Sequence, residues 1–328
     1  MIHPFIRKIV ASIREELGSP VRFEQLLDSY PAISVDLSEP ERPSINYHDA
    51  VPWHQLCPQT WVTGVGRGYV KGWRYVKDAR AYQSYVTEVN GYDRLGQRLV
   101  VEDWPCDIRN VHGLCASKSD LSAFRSMSEM AAANCRNLVG NGSLEDLQRN
   151  LSHENVGALH SRSSDFEINL WSAHIYLANS GGSHHFAAAH FIAQQIDEPV
   201  LLRRKAVFNH VDPEAVHDLL KEYVLYALPG DVGFTNKLHE AMEGFRAGYL
   251  MHPLPGRLNE SNAILLPRAD ARSMQVAQIL HDAGATSLSE KLSKVARESV
   301  RHAPMIRRGA SPDGESQSHQ RPIERLAA

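Results

Sequence analysis

With 328 residues, the chain can form one large domain or two ordinary ones and can bury a substantial core. Hydrophobic residues make up 43% and charged residues 22%, usage that excludes wholesale disorder and fibrous architecture. Thirty-five lysines and arginines stand against 38 acidic residues, a net charge of −3. That balance disfavours coating of nucleic acid through non-specific phosphate contacts and leaves a local basic groove open.

The first segment reads as helix. Phe5, Ile9, Val10 and Ile13 recur at three- and four-residue steps, and Gly18 stands where a stop belongs. Met1 to Gly18 carries five charged residues and no apolar run of signal-peptide length, so no secretory leader is expected. A second short helix is predicted over Arg22–Tyr30, and residues 31–58 read as an irregular connection. The four cysteines, at 57, 106, 115 and 135, form no CxxC pair, so a zinc ribbon is not indicated. Their low number fits free thiols in a reducing compartment. The longest apolar stretches fall far short of a membrane span. The expectation is a soluble cytoplasmic protein with no membrane partner.

Alternation over residues 82–89, turn residues in 90–96 and a second run at Arg98–Val101 predict a β-hairpin. Lys118–Val139 predicts a helix, with Leu121, Phe124, Met127 and Ala131 on one face, and Ser143–Leu151 a shorter one. Phe166–Trp171 and His174–Ala178 read as strands, Asn179–Ser183 as a small-residue loop and His184–Gln195 as an alanine-rich helix. A strand is predicted at Val200–Phe208, then a helix over Asp212–Ala227, opened by an Asp cap and Pro213 in its first turn. Further helices are predicted at Asn236–Ala247, Asp270–Ala283 and Ser287–His302, with a strand at Asn262–Leu266. Residues 306–328 are rich in small and polar types and are expected to be a mobile tail. The fold class expected is mixed α/β, a small central sheet flanked by helices beyond a β-containing N-terminal part. Its regions are 1–115, 116–305 and the tail.

The most informative stretch is Asn179-Ser180-Gly181-Gly182-Ser183-His184-His185. Two glycines between a predicted strand and a predicted helix let backbone approach a ligand closely. Free N–H groups and the helix dipole there suit an anion. Ser183 is a candidate cap and phosphate donor, and His184 and His185 add donors that can carry charge. The run Gly181-Gly182-Ser183-His184-His185-Phe186-Ala187-Ala188 resembles the signature loop of the sulfiredoxin and ParB-like superfamily, which reads Gly-Gly-Cys-His-Arg-Tyr-Ala-Ala in sulfiredoxin. The strand that follows, after Asp197-Glu198-Pro199, fits the same pattern. The resemblance covers residues 166–208 and implies a nucleotide phosphate on the loop. Two departures matter. Ser183 replaces the reactive cysteine, which argues against sulfinic-acid reduction, and His185 replaces an arginine, a weaker and pH-dependent phosphate ligand.

Other features carry less. Arg203, in the basic run Arg203-Arg204-Lys205, can neutralise phosphate or guard a strand edge. Asp165 and Glu167 share one strand face and are candidates for Mg²⁺ or for a base, although two carboxylates on a solvated face are the commoner case. Six histidines between 174 and 217 lack the spacing of a helical ligand pair. The Gly64-Val65-Gly66-Arg67-Gly68 run lacks the context of a dinucleotide loop. Basic and aromatic residues interleave from Arg67 to Lys77, as in single-strand nucleic-acid platforms or in exposed sheets with cation–π pairs. The resulting expectation is a protein that binds a nucleotide or other phosphate ester, with phosphoryl transfer or NTP hydrolysis open to it. Ser183, His184 and His185 would be its chemistry, and Asn179, Ser180, Gly181, Gly182 and Arg203 its cradle. ATP or another NTP with Mg²⁺ is the expected cofactor. The alternatives are a non-enzymatic regulatory protein and a ParB-like DNA-associated factor or nuclease.

Overall fold

The computed structural model describes residues 13–30, 32–39, 43–57, 66–153 and 165–308. Most of the predicted opening helix and most of the predicted tail lie outside these residues; of the former, residues 13–16 are described and are helical. Eleven strands are described in chain order: β1 (Tyr69–Val76), β2 (Ala81–Glu88), β3 (Gly96–Asp107), β4 (Gly113–Leu114), β5 (Asp165–Asn169), β6 (His174–Ala178), β7 (Leu201–Val211), β8 (Tyr223–Pro229), β9 (Tyr249–Pro253), β10 (Ser261–Pro267) and β11 (Thr286–Ser287). They form two sheets, ordered β11-β8-β10-β9-β1-β2 and β3-β7-β5-β6-β4, so the protein is mixed α/β. Among the described residues, no helix is long and apolar enough to cross a membrane.

The chain divides into two units that interleave in sequence. One comprises Met1–Ser38, Gln55–Gly96 and Asp212–Val295, the other Glu39–His54, Gln97–Val211 and Ala296–Ala328. This differs from the expected sequential boundary at 115/116, because strands that lie next to one another in sequence join different sheets.

In the first unit, β1 and β2 pair antiparallel in full register, Trp73 opposite Ser84, across a turn at 77–80 in which Arg80 takes φ 46°. The predicted hairpin of 82–89 with 98–101 is therefore wrong: β2 turns back onto β1, and 98–101 lies in β3 of the other sheet. Helices Val21–Ser29, Val232–Phe245 and Ala271–Asp282 supply Phe23, Phe234, Phe245 and Val276 to a core shared with Tyr226, Tyr249 and Ile264. The predicted helix from Asp212 is real but ends at Glu222; Asp212 caps it through Glu214 and Ala215 N–H. Tyr223–Ala227 lies in strand β8, buried at its centre, where an apolar run satisfies either periodicity.

In the second unit, β5 pairs antiparallel with β6 and parallel with β7. Phe166, Ile168, Ile175, Leu177, Ala206 and Phe208 face a core that also receives Phe186, Ala187–Ala189 and Ile192 of helix Ser183–Gln195. That helix packs against Met127–Asn134, Arg136–Val139 and Leu144–Ser152. The expected single helix over 118–139 is corrected. Ser126 caps a start at Met127, Cys135 interrupts at φ −126°, and Leu121–Ala123 is one 3-10 turn. Residues 306–308 are not tail: Met305–Arg308 is a short helix, and Ile306 is buried in this core.

Candidate functional site

The strand-to-helix loop is positioned by register. β4 runs parallel to β6, Gly113 opposite Tyr176 and Leu114 opposite Leu177. Gly113 is required there, because a Cβ would meet Ile45 O at 2.2 Å. Two residues further on, Ala116 meets Asn179. Ala116 N–H donates to Asn179 Oδ1 at 3.2 Å, and Asn179 Nδ2 donates to Ala116 O at 2.8 Å and Gly181 O at 3.0 Å. Asn179 is buried, whereas Ser180 and Gly181 are exposed. Gly182 takes φ 68°, ψ 11° and is the N-cap, a conformation that costs other L-residues about 1–2 kcal/mol. At Gly181 the φ is ordinary and a Cβ would find open space. The first intrahelical bond is Phe186 N–H to Gly182 O, at 2.9 Å. The amides of Ser183, His184 and His185 therefore precede the helical ladder, as first-turn donors do.

Replacing Asn179 by Ala should cost about 2–3 kcal/mol, since it strands the Ala116 N–H and two carbonyls in a largely dry place. Urea denaturation checks this. Asn179→Asp should be no better, because it sets a charge against the two carbonyls that Nδ2 now serves.

The side chains of the loop are held by neighbours. Ser183 does not cap the helix; it is the first helical residue, 5% exposed, with its Oγ 2.9 Å from Ser117 Oγ. His184 Nε2 lies 2.9 Å from Ser119 Oγ, and its Nδ1 lies 3.4 Å from Ser183 Oγ. Asn134 Nδ2 donates to Ser119 Oγ at 2.8 Å. His185 Nδ1 lies 2.9 Å from Asn150 Oδ1, and its ring stacks on His153 at 3.7 Å. Asn150 Nδ2 already donates to Leu138 O and Asp146 O. Its Oδ1 must then accept, so the proton of His185 sits on Nδ1 and Nε2 carries the lone pair. Burial, then His153 and His184, hold the His185 pKa below the ordinary value. Expected as a cation in place of arginine, His185 is instead shifted toward the neutral form.

The remaining expected site residues lie elsewhere. Arg203 pairs with Asp103 at 3.2 Å on an exposed stretch of β7. Asp165 pairs with Lys205 at 2.6 Å, and Glu167 pairs with Arg98 at 2.8 Å and accepts from Asn209 at 2.9 Å. Both carboxylates alternate with Phe166 and Ile168 and so leave the sheet on the face opposite the helix. Each carboxylate is thus paired with a cation, and Glu167 also with an amide. Among the described residues, no group of three His, Cys, Asp or Glu could hold a metal ion. The histidines between 174 and 217 disperse over β6, two helices and β7. Gly64 and Val65 lie outside the described residues, and Gly68 leads straight into strand β1, not a helix. In β1 the aromatics are engaged at home: Lys71 sits over Trp73, Trp73 stacks on Tyr249, and Arg74 sits over Tyr85.

Sequence reasoning missed Ser117, Ser119, Asn134 and Asn150. Nothing in the chain marks Ser119 as a partner of a histidine 65 residues away; only the pairing of β4 with β6 joins them.

Fold and loop together define a mixed α/β protein with a glycine-built strand-to-helix turn beside a Ser–His network. The chain belongs to DUF6685, a family of unknown function, whose model matches residues 101–305. No curated protein and no solved structure matches it.

Proposed function

We propose that the 179–185 loop binds a phosphate ester, a nucleotide being the class its resemblance to the sulfiredoxin and ParB-like superfamily suggests. The observation that carries the reading is the set of three first-turn amides, Ser183 to His185, beside the exposed Ser180 and Gly181 and next to the half-buried Ser119–His184 pair. Such amides and the helix dipole favour an anion. With the His185 pKa lowered by burial, the backbone is the principal ligand. Asp165 and Glu167 hold no metal in this reading, and no step passes through one.

Thermal unfolding with inorganic phosphate, ATP, CTP and GTP, each with and without Mg²⁺, tests it. A ligand present at 100 times its Kd stabilises by about 2.7 kcal/mol. Gly181→Asp is the discriminating variant. Its side chain enters open space and leaves the fold intact, but it brings a carboxylate to the amides. Ligand stabilisation should vanish while the ligand-free melting temperature stays within a degree or two of the parent, the usual range for an exposed substitution. Stabilisation that survives in Gly181→Asp would place the anion elsewhere.

A further inference from the structure

We propose that Ser119 is a nucleophile and His184 its general base, so that the unit cleaves a phosphate ester through a phosphoserine at position 119. The choice of phosphate as electrophile rests on the loop reading above; the pairing of hydroxyl with imidazole does not. Ser119 Oγ and His184 Nε2 stand 2.9 Å apart, within the reach a nucleophile and its base require.

The neighbours leave a path for the proton from Ser119 to His184. Asn134 Nδ2 donates into Ser119 Oγ at 2.8 Å, leaving the hydroxyl hydrogen to point elsewhere. The nearest acceptor is His184 Nε2. With the lone pair on Nε2, the ring proton sits on Nδ1 and faces Ser183 Oγ at 3.4 Å. Ser183 can then donate to Ser117 Oγ at 2.9 Å, and Ser117 Oγ also accepts from Ser119 N–H at 3.1 Å. These contacts are compatible with the imidazole tautomer a base needs. Ser183, expected to carry the chemistry, is buried and spends its hydroxyl within the network, which makes it a positioning residue. Ser119 is half-buried and reachable from solvent. Among the described residues, His184 has no carboxylate partner, so the pair is a dyad steadied by hydroxyls.

The step balances. Ser119 Oγ attacks phosphorus, the phosphorus–oxygen bond to the ester alcohol breaks, and His184 takes the hydroxyl proton and passes it to the departing oxygen. Water then attacks the phosphoserine and gives a proton to His184, the bond from phosphorus to Ser119 Oγ breaks, and His184 returns that proton to Oγ as phosphate leaves. The sum is ester plus water to alcohol plus phosphate.

A fluorophosphonate on the full native chain tests the pair. Ser119 Oγ displaces fluoride, and His184 accepts the proton. Intact-mass analysis with peptide mapping should find one adduct, on Ser119. It should be absent in Ser119→Ala and at least 100-fold slower in His184→Gln. The decisive measurement is made on the unmodified sequence, so a variant that fails to fold cannot hide the answer. An unlabelled Ser119 in the native chain, or a rate unchanged in a folded His184→Gln, overturns the proposal. Inorganic phosphate separates the two readings. Protection of Ser119 by phosphate supports both. Labelling of Ser119 together with no phosphate binding supports the nucleophile and rejects the loop as its phosphate site.

Discussion

Lowering the pH from 7 to 4 is expected to remove much of the stability of the unit built on the five-stranded sheet. His54, His174 and His190 all belong to it, and each is pushed down to about 4 from the ordinary 6.5, first of all by burial. Neighbouring positive charge adds to the shift for His54, through Arg98 and His210, and for His174, through His112 and His302. At His190 carbonyl contacts to Val111 and Arg109 work in the opposite direction and only soften the effect of burial. A histidine with a depressed folded pKa binds its proton more readily when unfolded. Its contribution is therefore fully present above pH 6.5 and is lost as pH falls toward 4. Each shift corresponds to on the order of 3 kcal/mol, and the three need not add. Urea denaturation followed by tryptophan fluorescence should give a flat midpoint from pH 8 to 7 and a steep decline below 6. A midpoint that holds to pH 4.5 would mean that these rings accept protons in the folded state without penalty.

Trp104→Ala is the second large effect. The indole is 2% exposed and meets Phe166 and Phe208 edge-on, with centroids at 5.9 and 5.3 Å. Its Nε1 donates to Met305 O at 3.2 Å. Truncation opens a cavity between β3, β5 and β7 and leaves a carbonyl of the last described turn unserved. A loss of about 3–5 kcal/mol is expected from the cavity, and the orphaned carbonyl adds about 1 kcal/mol. Trp104→Phe keeps most of the packing and loses only the donor, so it should recover the greater part. Equal losses in the two variants would assign the effect to the hydrogen bond.

Local signals were the readable part of the fold. Asp212-Pro213 opens a helix by the chemistry of its own residues, and so does Ser143, whose Oγ accepts from Asp146 N–H while the Asp146 carboxylate accepts from Ser143 N–H. The strand–loop–helix order of 174–195 followed from two glycines and an alanine-rich run. What failed was whatever depends on a distant partner. β2 has the alternation of a hairpin strand, but its mate is β1 before it and not 98–101 after it. Tyr223–Ala227 continues the apolar spacing of the helix ahead of it, and only pairing with β10 and β11 makes it a strand. At the site, the loop itself was legible while its circuitry was not. The tautomer of His185 depends on Asn150, and the environment of His184 depends on Ser119 and Asn134. Those contacts are made by helices and turns that pack from elsewhere in the chain.

The interleaving of the two units has a bearing on synthesis. The polypeptide passes from one unit to the other five times between its first and last segments. A ribosome therefore cannot release either unit as a finished piece while the other is still to come. The five-stranded sheet, whose last strand in sequence ends at Val211, still lacks Ile306 and the Met305 carbonyl that Trp104 engages. About a hundred further residues must emerge before that core can close. During this interval Trp104, Phe166 and Phe208 stand beside an incomplete wall, the circumstance in which nascent chains aggregate or recruit chaperones. Fragments cut at a single point should behave as such nascent chains do. One ending at Val211 should be insoluble on its own and should regain order only when residues 212–308 are supplied in trans.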